Sequence, residues 1–156
     1  MTRAWRIIRR RRLPDAFTGE GARIGGGRWN HVGTPVVYVS ETLSLAALEL
    51  FVHFTRKDIK LAKSLVAIPV DIPGSLKIAE VSVKDLDPDW RMSPPSNSTK
   101  DAGTEWAQKG VSSILRVPSA LIPDEHNLVL NPWHADFRKI KIGKPQPFTL
   151  DERLWK

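Results

Sequence analysis

The chain contains no cysteine, which excludes disulfide frameworks, thiolate-bound zinc and cysteine nucleophiles. No apolar run approaches the ~20 residues needed to cross a bilayer. The opening residues, MTRAWRIIRRRR, hold no apolar core and no small-residue cleavage site, so they do not read as a secretory signal. Acidic residues are scarce at the start. Residues 1–40 carry eight arginines (3, 6, 9, 10, 11, 12, 23 and 28) against Asp15 and Glu20, a net +6 of the chain's +7. The rest of the chain is close to neutral, with 16 basic and 15 acidic residues. A soluble, cytoplasmic protein is expected. With 156 residues, 41% hydrophobic and 26% charged, it fits a single domain over residues 1–156.

The basic excess thus sits mostly in one short run. Residues 1–12 read either as a basic N-terminal arm, solvated or facing a partner, or as a first strand. A nucleic-acid binder usually spreads its cations over a face or along a helix. Direct contact with nucleic acid is therefore not expected.

Twelve prolines and ten glycines are scattered along the chain and punctuate short elements. Residues 35–40 read as a buried strand. Residues 42–55 read as a helix, with Leu43, Ala46, Ala47, Leu50, Phe51 and Phe54 at helical spacing. Residues 65–72 read as a strand interrupted by Pro69, hence an edge strand or a bulged one. Residues 76–81 alternate and are a plausible partner for it. Residues 98–109 read as a helix, capped by Ser98 and Asp101 and stopped by Gly110. Residues 112–117, 127–131 and 139–142 supply three more strands, and residues 87–98 a surface loop. Strands outnumber helices, and the order is mixed. This predicts a compact α+β domain with a bent or split mixed sheet flanked by helices. The regular alternation of a doubly wound sheet is absent.

Four places could carry chemistry. Gly25, Gly26 and Gly27 let the backbone approach a ligand, and Arg28 follows with a fork suited to phosphate or ribose oxygens. The same residues also suit a glycine-rich hairpin with an exposed arginine. Neither a Walker loop nor a G-x-G-x-x-G turn is present. Tyr38, the only tyrosine, alternates with Val37 and Val39 and so faces either a cleft or a second core. Glu49 lies in an apolar helix four residues before His53, on the wet face or in a cleft. No further ligand set accompanies that pair, and no metal is expected. Ser119 lies at a strand end outside any G-x-S-x-G elbow. Asn127 adds a polar side chain near another strand end.

In order along the chain, these segments resemble the RES-domain toxins of bacterial RES–Xre toxin–antitoxin modules. The matching segments are Gly-Gly-Arg-Trp-Asn (26–30), Gly-Thr-Pro-Val-Val-Tyr-Val-Ser (33–40), Leu-Ala-Ala-Leu-Glu (45–49), Val-His (52–53), Val-Pro-Ser-Ala (117–120), Asn-Leu-Val-Leu-Asn-Pro-Trp-His (127–134) and Ile-Gly-Lys-Pro-Gln-Pro-Phe (142–148). His31 departs from the pattern, where proline is expected, and the run Arg9–Arg12 is more basic than the family's.

The resemblance implies a fold similar to diphtheria-type ADP-ribosyltransferases. It implies a toxin that consumes NAD⁺ by cleaving the nicotinamide–ribose bond, without a metal. It assigns Arg28 to the NAD⁺ phosphates or ribose and Tyr38 to the nicotinamide end. Glu49 would bind ribose hydroxyls and stabilise positive charge, and Ser119 would hydrogen-bond NAD⁺. Gly27, Trp29 and Asn127 would line its site. The acceptor stays open: water, phosphate or a protein side chain, the last making an ADP-ribosyltransferase. The implied partner is an Xre-type DNA-binding antitoxin that covers the cleft. A non-catalytic nucleic-acid- or partner-binding module using the arginine-rich start is the alternative; on deletion of residues 1–12 the enzyme is expected to keep its NAD⁺ chemistry, and a binder to lose salt-dependent affinity.

Overall fold

The computed structural model describes residues 1–155. Eight strands form one sheet. β1 (Thr2–Arg9), β2 (Val37–Ser40), β3 (Leu65–Ile72), β4 (Ile78–Glu80), β5 (Ile114–Pro118), β6 (His126–Leu130) and β7 (Lys141–Ile142) stand in the order β4-β5-β6-β2-β1-β3-β7. β8 (Gln146–Phe148) pairs with β3 as well. Only β4 and β5 run parallel. The helices are α1 (Glu20–Gly25), α2 (Leu43–Phe51) and α3 (Asn97–Lys109). The architecture is the expected α+β domain.

The sheet is split where β1 meets β2. β1 pairs with β3 along its whole length, from Thr2 opposite Ile72 to Arg9 opposite Leu65. β2 pairs with β6 along all four of its residues. Between β1 and β2 a single pair remains, Trp5 opposite Ser40. The two halves therefore part on either side of that pair, and the hollow between them houses the site.

Alternation along β2 sorts its side chains. Val37 and Val39 enter one core with Val70, Ile72, Leu128 and Leu130. Tyr38 packs on the other side, against the core that holds Trp29, Trp90 and Trp106. α2 covers a third core built on Ile7, Leu65 and Ala67.

Several expectations need correction. Of the two readings of the start of the chain, the first strand holds and the arm does not, because residues 2–9 are an internal strand. Deleting residues 1–12 would remove half of the β1–β3 ladder, and the domain would not survive to show its chemistry. β4 pairs with β5, not with β3. Alternation marks which face a strand buries but not its neighbour. β3 is no edge strand. Pro69 falls in the gap between β8, which faces residues 65–67, and β7, which faces 70–71. Its carbonyl still accepts from Gly143 N at 2.8 Å. α2 is shorter than residues 42–55. Thr42 caps it, accepting from Leu45 N at 3.1 Å. It ends at Phe51 because Thr55 and Asp58 start a new 3₁₀ turn, Thr55 N donating to Asp58 Oδ2 at 2.9 Å. α3 starts after Ser96, not Ser98.

Candidate active site

The hollow between the sheet halves is a cleft of about 760 Å³, within the range of ~300–1,000 Å³ usual for small-molecule sites. One wall is β1 and β2, another is the face of α2, and the rim is the glycine-rich turn with residues 91–95. Gly27, Arg28, Trp29, Tyr38, Glu49 and Asn127 all line it. Ser119 does not.

The turn that carries Arg28 is fixed from below. Gly27 N donates to Asn30 O at 3.1 Å, and Asn30 N returns to Gly27 O at 3.4 Å, leaving Arg28 and Trp29 at the tip. A Cβ on Gly27 would lie 2.7 Å from the Tyr38 hydroxyl, so only glycine fits. Asn30 is fully buried. Its amide donates to the carbonyls of Ala22 at 2.8 Å and Thr34 at 3.1 Å. Its Oδ1 accepts the Tyr38 hydroxyl at 2.6 Å. The same hydroxyl accepts Trp29 N at 3.0 Å. The Tyr38 hydroxyl thus holds the turn, and burial pushes its pKa well above the ordinary value. Tyr38 stays neutral and offers its ring to the cleft.

Arg28 is anchored by one nitrogen. Its Nη1 donates to the carbonyls of Trp90 and Met92, both at 2.9 Å. Among the described residues, its Nε and Nη2 make no hydrogen bond and remain for a ligand. Burial lowers its pKa, and the charge of Glu49 opposes that shift. An arginine so placed keeps its charge.

Glu49 projects from α2. Its Oε1 accepts from Ser119 Oγ and from Asn127 Nδ2, both at 2.7 Å. Asn127 is itself oriented by Ser40 Oγ, which donates to its Oδ1 at 2.6 Å. Among the described residues no hydrogen bond reaches Glu49 Oε2. One oxygen is therefore fixed and the other is available.

Two residues take places other than those expected. Ser119 is fully buried, and its hydroxyl is fully used. It donates to Glu49 and accepts Leu121 N and Ile122 N, both at 3.1 Å. It positions Glu49 and cannot touch a ligand in the cleft as the fold stands. The Trp29 side chain is 2% exposed and belongs to the core, so only its backbone serves the site. A Ser119→Ala protein should remain folded. It should lose about tenfold in turnover with little change in KM, since one of two hydrogen bonds holding Glu49 is worth ~1–2 kcal/mol. Steady-state kinetics would show it, and an effect on KM alone would return Ser119 to direct binding.

Arg6 escaped the sequence reading. It lies on β1 and lines the cleft. Its Nη1 donates to Tyr38 O at 2.8 Å, its Nε is buried without a partner, and its guanidinium stands 6.0 Å over the Phe17 ring. Burial, with Arg12 nearby, lowers its pKa to about 10. It remains charged at neutral pH and, among the described residues, pairs with no carboxylate. Its sequence signal is weak, because β1 also carries Arg3 and Arg9 and nothing local sets Arg6 apart from them. With Arg28, Arg91 and Lys100, Arg6 makes four cations around a cleft whose one lining carboxylate is Glu49.

Fold and cleft together define a small α+β protein whose cleft sets four cationic side chains around one oriented carboxylate among the described residues. Residues 3–151 match the RES domain family, and the chain belongs to it. It is 39% identical over 153 residues to a toxin named Res of Photorhabdus laumondii, covering 97% of this chain and 96% of that one. A "Prs ADP-ribosylating toxin" of Sphingobium sp. is 36% identical over 157 residues, covering 98% and 96%. The fold superposes on a chain from the M. tuberculosis MbcT–MbcA toxin–antitoxin complex with a TM-score of 0.75, at 19% identity, over 95% of this chain and 84% of that one. No helix among the described residues is long and apolar enough to cross a membrane.

Proposed function

We propose that this chain is the toxin of a toxin–antitoxin module and that its cleft cleaves the nicotinamide–ribose bond of NAD⁺. The observation that carries this reading is Glu49, with Oε1 fixed by Ser119 and Asn127 and Oε2 open among the described residues, lining the same cleft as cationic Arg28. In NAD⁺ the nicotinamide ring is already cationic. When the bond from ribose C1′ to the ring nitrogen breaks, the electron pair goes to nitrogen and neutral nicotinamide leaves without a general acid. Positive charge then builds on the ribose, as in glycoside cleavage. A preorganised carboxylate stabilises that charge in the transition state more than in the ground state. Arg28 and Arg6, which both line the cleft, hold the diphosphate, and the Tyr38 ring packs against the nicotinamide end. With water as acceptor the products are ADP-ribose, nicotinamide and one proton.

A second reading, transfer of ADP-ribose to a protein, is favoured by the relative named as an ADP-ribosylating toxin. Both readings share the bond that breaks and differ only in the nucleophile. An Xre-type antitoxin that covers the cleft is the partner we propose, since a chain of this fold occurs in a toxin–antitoxin complex.

Partner-free protein incubated with NAD⁺ should release nicotinamide, followed by chromatography in plain buffer, with phosphate and with cell extract. The product of each arm names the acceptor: free ADP-ribose, its phosphate ester or a modified protein. Folded protein that releases no nicotinamide in any arm would overturn the proposal.

A further inference from the structure

The basic start of the chain does not stand alone in the fold. β1 ends at Arg9, and residues 10–15 form a 3₁₀ turn at that end of the sheet. The segment entering β3 lies against it. Arg10 N donates to Ser64 O at 2.9 Å, and Arg9 pairs with Asp58 at 3.3 Å. That segment, residues 56–63, reads RKDIKLAK. Residues 9–15 bring four positive charges against Asp15, and residues 56–63 bring four against Asp58, so the two turns together carry six. The whole chain carries +7, so everything outside the two turns carries only one.

Arg10, Arg11, Arg12, Arg56, Lys57, Lys60 and Lys63 are all exposed. Among the described residues only Lys63 of these makes an ion pair, with Glu152 at 3.7 Å. None of the exposed large hydrophobic residues lies in either turn. A protein partner's interface core is rich in aromatic and apolar residues and poor in lysine, and a membrane surface is gripped by an apolar wedge. Neither is offered here. What is offered is an array of unneutralised cations, the surface that matches a phosphate backbone, where affinity comes from counterion release.

We propose that this pole binds the phosphate backbone of nucleic acid. The sequence alone argues against it, because the basic residues form one short run. The fold turns that run into a face by setting residues 56–63 beside it. The inference is independent of the chemistry in the cleft.

The test is fluorescence anisotropy of full-length protein with a labelled DNA duplex of arbitrary sequence across a salt series. Log affinity should fall linearly with log salt, by about 0.9 for each phosphate contacted. Replacing Arg10, Arg11, Lys57 and Lys60 with alanine should weaken binding about tenfold or more at 0.1 M salt and flatten the slope. The same change at Lys77, Lys84, Lys141 and Lys144, outside the two turns, should do much less. Both variants should keep the parent's circular dichroism. No binding at low salt would overturn the proposal, as would equal weakening by the two variants. Binding of polyglutamate through the same four residues, without binding of DNA, would assign the face to an acidic protein and also overturn it.

Discussion

Glu49→Gln should lower kcat for nicotinamide release about a thousandfold, or ~4 kcal/mol, with KM changed little. The substitution is chosen because it isolates charge from geometry. The amide oxygen of glutamine can take the place of Oε1 and accept from both Ser119 and Asn127, which donate at 2.7 Å in the parent. The amide nitrogen then occupies the position of Oε2, which is free in the fold. Shape and support are retained, and what disappears is the negative charge that the proposed reaction sets against the ribose. The charge-assisted hydrogen bonds become neutral ones, which costs ~1 kcal/mol of stability. The protein should stay folded with a melting temperature a few degrees lower. The contrast with Ser119→Ala is informative: that change leaves the charge and loosens its mooring, and its loss is about a hundredfold smaller. A folded Glu49→Gln protein with parental kcat would remove the carboxylate from the chemistry. A rise in KM at unchanged kcat would make it a binding group only. Equal loss with water and with a protein acceptor is also expected, since bond breaking precedes the choice of nucleophile.

What could be read from the sequence, and what could not, follows from the range of the interactions concerned. Tyr38 and its flanking valines were legible because alternation is a local property of one strand. Glu49 was legible as a carboxylate within an apolar helix, for the same reason. β1 was obscured by its arginines, whose partners lie far along the chain. Arg3 pairs with Asp71, Arg9 with Asp58, and Arg6 donates to the carbonyl of Tyr38. A segment that reads equally as an arm or as a first strand becomes an internal strand only once those partners arrive. Ser119 shows the same limit in another form. Its position at a strand end is visible, but its burial is set by the chain that follows, with Leu121 N and Ile122 N both turned onto its hydroxyl. Whether a polar residue meets the ligand or stands behind the one that does is a matter of three-dimensional packing, which no spacing encodes. The pole formed by residues 9–12 and 56–63 belongs to the same class, since it exists only through the junction of β1 and β3.

Gly103→Ala should be the most damaging of the small substitutions outside the cleft, destabilising the protein by ~2–4 kcal/mol and lowering turnover about a hundredfold. Gly103 lies in the middle of α3, where alanine would ordinarily stabilise a helix by ~1 kcal/mol. Here a Cβ would stand 1.8 Å from the Trp29 carbonyl oxygen and 2.8 Å from its carbon. Both atoms are backbone, so no side chain can swing aside. Either α3 or the turn of residues 27–30 must move. α3 is held by Trp106, which is buried and donates its indole N–H to Ser112 Oγ at 2.9 Å. The turn is held to α3 by Thr104, whose hydroxyl accepts His31 N at 2.8 Å. The strain therefore falls on the turn, whose tip carries Arg28, and misplacing that guanidinium by ~1 Å is enough for the loss in rate. Because Arg28 is proposed to hold the diphosphate and not the breaking bond, KM should rise along with the fall in kcat, unlike the pattern of Glu49→Gln. Gly74→Ala is the matched control, since a Cβ there meets nothing within 4 Å. Thermal melts and steady-state kinetics on the two variants decide the matter. Parental stability and turnover in Gly103→Ala would show that α3 does not set the position of the arginine turn.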